Sequence, residues 1–268
     1  GTFLGSNNKG NPFGTIKKDG NKIEVSNLII SSFKKLELDA LIGIGGDGSL
    51  KILQSLTKKG NINFIGIPKT IDNDVMHNEL SIGYDTAVDV ATNALDMLQP
   101  TAASHRRAMI LEVMGRDAGH IALNTGVSSG AEEILIPEEN MGLDRLIQSL
   151  KRSQNTGKSS SIVVVAEGDN TGENVFDLKK YVEKHLPDYE ARVSVLGHMQ
   201  RGGSPSCFDR VLASRLGVKA VESMIDGENS VMAGLKNNLV ILTPLKKAIK
   251  GITKINTELL KVSDIMSI

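Results

Sequence analysis

A chain of 268 residues is long enough for one large α/β domain or two smaller ones, each with a sizeable buried core. Its 31 Lys plus Arg balance 31 Asp plus Glu, so overall charge gives no reason to expect nucleic acid or an anionic membrane as partner; an anion site must come from local clustering. Hydrophobic residues at 40% and charged residues at 23% are ordinary for a globular protein, no apolar run is as long as a membrane span, and the single Cys207 excludes an intrachain disulfide and fits a reducing, cytoplasmic setting.

Short apolar runs alternate with amphipathic stretches along the chain. Residues 40–44 (ALIGI) are continuously apolar and end in glycines, residues 50–56 have helical spacing, residues 64–67 (FIGI) are apolar again, and residues 86–98 return to helical spacing. Residues 108–114 (AMILEVM), 134–136 and 162–166 (IVVVA) are further strand candidates. Runs apolar on both faces suit strands buried in a parallel sheet, and their alternation with helices predicts βαβ units covered on both sides. Loops are expected at residues 7–12, 169–172 and 201–205. In such a doubly wound α/β architecture, ligand sites lie where strands end and helices begin. At the other extreme, residues 1–5 (GTFLG) read like the middle of a domain, with no initiator Met and no first strand, so an N-terminal part is expected to be missing.

Four polar clusters fall at those strand ends. Gly45-Gly46-Asp47-Gly48-Ser49 follows the first apolar run; its glycines let backbone N–H groups approach a phosphate, Asp47 can hold a magnesium ion, and Ser49 is expected to cap the next helix. A tight strand–helix turn with an ordinary acidic residue would look the same. Pro68-Lys69-Thr70-Ile71-Asp72-Asn73-Asp74 places two carboxylates two residues apart, one able to take a proton from an alcohol and the other to help hold a metal complex, with Lys69 to offset phosphate charge. A solvated Asx-rich turn is the alternative there. Met114-Gly115-Arg116-Asp117 offers an arginine for planar contact with a phosphoryl group, or a surface arginine paired with Asp117. Gly197-His198-Met199-Gln200-Arg201-Gly202-Gly203, with Arg192 upstream, is a plausible pocket for a phosphate monoester, and His105-Arg106-Arg107 is a further basic triplet. Glu167, after residues 162–166, could bind a sugar hydroxyl or form a strand-end ion pair.

Taken together and in order, GIGGDGS, PKTIDND, EVMGRDAG, VVVAEG and VLGHMQRGGSP resemble the phosphofructokinase family over nearly the whole chain. The resemblance implies two doubly wound, mostly parallel-sheet domains: residues 1–83 plus 200–250 for the nucleotide and phosphoryl donor, and residues 84–199 plus 251–268 for the sugar phosphate. It implies ATP-dependent phosphorylation of fructose 6-phosphate at the 1-hydroxyl, the committing step of glycolysis, with magnesium as cofactor. Asp72 matches the catalytic base; Thr70 and Arg116 match contacts to the transferring phosphoryl group, with Lys69 beside them. Asp47 matches the magnesium residue and Asp74 a second acid next to it. Gly46, Gly48 and Ser49 match the nucleotide-phosphate loop. Met114, with Gly115 beside it, Glu167, His198 and Arg201 match the sugar-phosphate pocket. Arg107 and Arg192 match arginines that reach in from a neighbouring subunit, which implies a dimer or a tetramer built from dimers.

The sequence also departs from the family pattern. The family's first strand and its glycine loop have no counterpart in this chain, and Lys9 stands where an arginine beside the nucleotide phosphates is usual in bacterial ATP enzymes. Gln99 replaces an arginine of the familiar bacterial allosteric site, which puts ADP and phosphoenolpyruvate control in doubt. For the donor, Gly48 leaves room for a nucleotide α-phosphate, whereas Lys69 is usual in pyrophosphate enzymes and occurs in some ATP enzymes; steric room being the harder constraint, ATP is expected and pyrophosphate is the alternative. A catalytically silent regulatory subunit, a lipid or NAD kinase sharing the GGDG turn, and a sugar-phosphate-binding module are the other readings; Asp72 with Arg116, PKTIDND with GHMQRGGSP, and the Asp47 and Asp72 pair argue against each in turn.

Overall fold

The computed structural model describes residues 10–18, 21–105, 107–139, 142–156, 161–170 and 174–266. Lys9, Arg106, the side chain of His105 and parts of the loops expected at residues 7–12 and 169–172 lie outside the described residues. In chain order the elements are β1 (Thr15–Lys18), β2 (Asn21–Glu24), α1 (Val25–Lys35), β3 (Ala40–Gly45), α2 (Asp47–Gly60), β4 (Asn63–Pro68), α3 (Tyr84–His105), β5 (Arg107–Val113), α4 (His120–Ser129) and β6 (Glu133–Leu135). They continue with α5 (Leu143–Asn155), β7 (Ser161–Ala166), α6 (Val175–His185), β8 (Glu190–Val195), a 3-10 helix (Gly197–Arg201), α7 (Cys207–Ile225), β9 (Val231–Lys236), β10 (Leu239–Pro244), α8 (Leu245–Ala248) and α9 (Thr257–Met266).

The chain divides into two compact units. The first takes in the described residues up to Thr70, Val75–Ile82 and Val211–Thr253; the second takes Ile71–Asp74, Gly83–Arg210 and the described residues from Lys254 onward. In the first unit a four-stranded sheet runs in the order β10-β9-β4-β3. β3, β4 and β9 are parallel, and β10 returns antiparallel to β9. The FIGI run is buried on both faces because successive residues point to opposite sides: Ile65 and Ile67 pack with Leu212 and Leu216, and Phe64 packs with Leu50 and Leu245. Each such side chain contributes about 1.5–3 kcal/mol on full burial. The β3–β4 register pairs Ala40 with Asn63 and Gly45 with Pro68, so the Gly45–Ser49 turn and the Lys69–Thr70 segment leave the sheet at the same carboxyl edge.

In the second unit a wholly parallel sheet runs β6-β7-β5-β8. On one side Ile110, Val163 and Val165 pack with Leu146 and Leu150 of α5 and Leu178 of α6. The alternate residues Met109, Leu111 and Val164 are also buried, and α3 and α4 contact β5 and β7. β5 is in register with β7 from Ala108–Ser161 to Val113–Ala166, and with β8 from Arg107–Glu190 to Glu112–Val195. Met114–Arg116, Glu167 and the 3-10 helix therefore all start from one carboxyl edge.

Two local expectations are corrected. α2 begins at Asp47 with Gly46 as its N-cap, and Leu50 N–H already donates to the Gly46 carbonyl at 3.0 Å; Ser49 sits inside the first turn and caps nothing. The extended Gly46 backbone (φ −75°, ψ −177°) makes the turn one residue after β3 ends, too early for Ser49 to serve. The helix expected at residues 86–98 continues through Pro100 to His105. Proline forfeits one backbone hydrogen bond, but Ala102 in the following turn is fully buried and Pro100 itself faces solvent.

Candidate active site

The carboxyl edge of the first unit gathers Gly46, Asp47, Gly48, Ser49, Lys69 and Thr70. Lys69 N–H donates to the Gly45 carbonyl at 3.0 Å, which holds the two strand-end segments side by side. A Cβ added at Gly46 would lie 3.6 Å from the Thr70 Cβ. Asp47, in the first turn of α2, stands where the helix dipole favours an anion, and its Oδ2 is 2.9 Å from Lys51 Nζ. Gly48 has nothing within 4 Å of an added Cβ, so protein packing does not demand glycine there.

The second unit takes in Ile71–Asp74. Asp72 is half-buried, and Asn73 is buried in the left-handed region at φ +53°, a conformation asparagine tolerates better than most residues. At the carboxyl edge of its sheet, three successive backbone N–H groups are left over where β5 stops pairing. Met114 N–H donates to Gln200 Oε1 at 2.6 Å, and Arg116 N–H donates to Glu167 Oε1 at 2.8 Å, with Gly115 N–H more distant at 3.4 Å. That turn puts Gly115 at φ +154° and Arg116 at φ +57° and leaves the Arg116 side chain exposed, with Asp117 Oδ2 3.9 Å from its Nε. A Cβ at Gly168 would overlap the Arg116 carbonyl oxygen, so the loop after β7 can pass under the arginine only as glycine. Burial, and secondarily the charge of Glu167, holds the Glu112 carboxyl above its ordinary range just before this turn.

His198 and Arg201 are exposed on the 3-10 helix, which follows β8 directly; Leu196 N–H donates to the Glu112 carbonyl at 3.1 Å. Met114, Gly115, Arg116, Glu167, His198 and Arg201 are thus brought to one edge of one sheet. Arg107 and Arg192 are not brought there. Arg107 opens β5, whereas Met114 follows its end; at about 3.3 Å per residue, roughly 20 Å of strand separates them. Arg107 Nε lies 2.5 Å from Glu190 Oε2, and Arg192 Nη2 bonds the other oxygen of the same carboxylate. Sequence reasoning gave no role to Glu190 or Gln200. The one signal for Gln200 was its place between His198 and Arg201.

A glycine turn that opens a helix beside an acidic residue, and a second edge rich in arginine and histidine, are arrangements for holding phosphates; fold and side chains define an α/β phosphotransferase. A family model described as Phosphofructokinase matches residues 1–224. The chain is 47% identical over 266 residues to the ATP-dependent 6-phosphofructokinase 1 of Synechocystis sp., covering 93% of this chain and 74% of that protein. With the ATP-dependent 6-phosphofructokinase of Listeria welshimeri it shares 45% over 239 residues, 89% of this chain and 73% of that one. The structure of phosphofructokinase from Saccharomyces cerevisiae superimposes with a TM-score of 0.79 at 31% identity, over 85% of this chain and 34% of that chain. A pyrophosphate-dependent phosphofructokinase from Marinobacter aquaeolei, at 22% identity and a TM-score of 0.76 over 87% of this chain and 66% of that one, shares the fold. This chain belongs to the phosphofructokinase family. It spans about three quarters of the curated relatives it matches and about a third of the yeast chain.

Among the described residues no group of three His, Cys, Asp or Glu side chains converges as a metal cage. Magnesium does not require one, since it keeps several waters and takes one or two carboxylates together with substrate phosphates. Asp47 at the start of α2 suits that donor set. No described helix is long and apolar enough to cross a membrane.

Proposed function

We propose that this chain transfers the terminal phosphoryl group of ATP to the 1-hydroxyl of fructose 6-phosphate, forming fructose 1,6-bisphosphate. The observation that carries the reading is the shared carboxyl edge of β5, β7 and β8, where an exposed arginine on a left-handed turn stands with Glu167 and the His198–Arg201 helix. The curated relatives named ATP-dependent 6-phosphofructokinase, at 45–47% identity, support the same donor and acceptor.

In this reading the 6-phosphate and sugar are held by His198, Arg201, Met114, Gly115 and Glu167. Glu167 Oε1 already orders the turn through Arg116 N–H; a carboxylate has about four acceptor positions, which leaves room for a sugar hydroxyl. Asp72 takes the proton of the 1-hydroxyl as it attacks. Arg116, Thr70 and Lys69 contact the moving phosphoryl group, where positioning and charge neutralisation supply most of the acceleration. Backbone N–H groups at Gly46, Gly48 and Ser49 hold the donor phosphates. Asp47 would hold magnesium, which when bound offsets charge on the donor phosphates. Arg107 and Arg192, grouped at the far end of their strands, serve the site of a neighbouring subunit in a dimer or tetramer. The setting is cytoplasmic.

The test is kcat/KM for ATP and for pyrophosphate with magnesium and fructose 6-phosphate. ATP should lead; a tenfold lead for pyrophosphate, about 1.4 kcal/mol of transition-state preference, overturns the donor assignment. Because Gly48 has open space around an added Cβ, Gly48→Asp should fold normally and its effect can be read as donor choice: loss of ATP use with pyrophosphate use spared.

A further inference from the structure

Gln200 lies in the helix that carries His198 and Arg201, yet unlike them it is only 1% exposed. The N–H of Met114 can only donate, so the contact at 2.6 Å fixes which end of the Gln200 amide faces β5. The other end, Nε2, is buried without a hydrogen-bond partner among the described residues. A side chain kept for packing alone would not retain a buried, unsatisfied donor, since an apolar residue of similar volume avoids that cost. What the amide supplies is its acceptor. That acceptor meets the first of the three N–H groups at the end of β5, next to the two that face Glu167. Backbone hydrogen bonds tie the helix segment down at Leu196 before it, and Ser206 N–H donates to Thr86 Oγ1 after it. Gln200 supplies the tie in between.

We propose that Gln200 is a positioning residue. It keeps the helix bearing His198 and Arg201 in register with the Met114–Arg116 turn, so that the groups binding the 6-phosphate and the arginine on the transferring phosphoryl group address one sugar molecule. The inference rests on the fructose 6-phosphate reading above. Its lever is geometric: a small misplacement of binding groups relative to the reacting centre costs about 10²-fold in rate.

The experiment compares wild type, Gln200→Leu, Gln200→Glu and Gln200→Asn for melting temperature, kcat, KM of each substrate, fructose 6-phosphate binding by calorimetry, and amide exchange at residues 114–116. Gln200→Leu should lower kcat/KM for fructose 6-phosphate by about 10²-fold while the donor KM moves by no more than about threefold. Gln200→Glu keeps an oxygen facing Met114 at the same reach and should restore activity to within about fivefold of wild type. Gln200→Asn, one methylene short, should fail where Gln200→Glu succeeds, and decides the matter if Gln200→Leu does not fold. The proposal is overturned if Gln200→Leu melts lower but keeps its kcat/KM, if both substrates' KM values suffer equally, or if Gln200→Glu is no better than Gln200→Leu. A wild type with no turnover of fructose 6-phosphate sinks the activity reading instead. The tie itself is then still tested by exchange at Met114, which should quicken in Gln200→Leu, and unchanged exchange there would overturn it.

Discussion

Asp72 projects from a turn closed by Asn73, whose left-handed backbone is buried and therefore held by its surroundings. A base in a fixed turn is suited to proton transfer, and its loss should appear in kcat and hardly at all in sugar-phosphate affinity. Asp72→Ser is expected to lower kcat by at least about 10²–10⁴-fold; steady-state kinetics showing near-normal kcat would remove Asp72 from the mechanism. Arg201→Ala should instead raise KM for fructose 6-phosphate far more than KM for the donor, and the reverse split would sink its assignment to the 6-phosphate. Glu112 gives a pH signature. Burial and the charge of Glu167 raise its carboxyl above the ordinary value of 4.5, so the folded state favours the protonated form. That contribution is fully present below the unfolded value and is lost as pH rises through the raised folded value. Glu112→Gln should therefore gain melting temperature over wild type at neutral pH, with the difference closing below pH 4.5; a gap of the same size at both ends would contradict burial of a charged carboxylate as the cause.

At the scale of elements, the start of α3 depends on a residue far away in sequence. Asp209, 2% exposed, accepts from Gly83 N–H at 2.8 Å and Thr86 N–H at 2.9 Å, and also from the Thr86 hydroxyl. Thr86 Oγ1 in turn accepts from Ser206 N–H, so the same carboxylate steadies the loop after Arg201. Asp209→Ala leaves these partly buried donors without that acceptor and should cost about 1–2 kcal/mol by denaturant titration. An unchanged midpoint would mean that water replaces the carboxylate. The loop after β7 makes the complementary case: Gly168→Ala forces the Arg116 turn to move, so kcat should fall while the α/β core keeps its melting temperature within a few degrees.

For the whole molecule, the testable matter is subunit sharing. Arg107 and Arg192 share Glu190 at the far end of β5 from the Met114–Arg116 turn. If they complete a neighbour's pocket, a mixture of Asp72→Ser and Arg192→Ala subunits, dissociated and reassembled together, should recover activity that neither has alone. Properly mixed oligomers without recovery would make each site self-contained. Much of this was legible in the chain itself. The runs 64–67 and 162–166 were readable because strands buried on both faces exclude polar residues. The run 108–114 was readable although it carries the half-buried Glu112, and 40–44 although it forms a sheet edge with Ile44 exposed. The glycine and acidic clusters stood out because phosphate and proton chemistry restricts which side chains can serve. Those features are local, and local sequence determined them. Strand order, the antiparallel β10 edge, the start of α2 at Asp47 instead of a cap at Ser49, and the reach of Gln200 to Met114, 86 residues away, were decided only by tertiary structure. Each depends on which distant backbone groups remain unpaired once the sheets have formed, and no window of sequence contains that information.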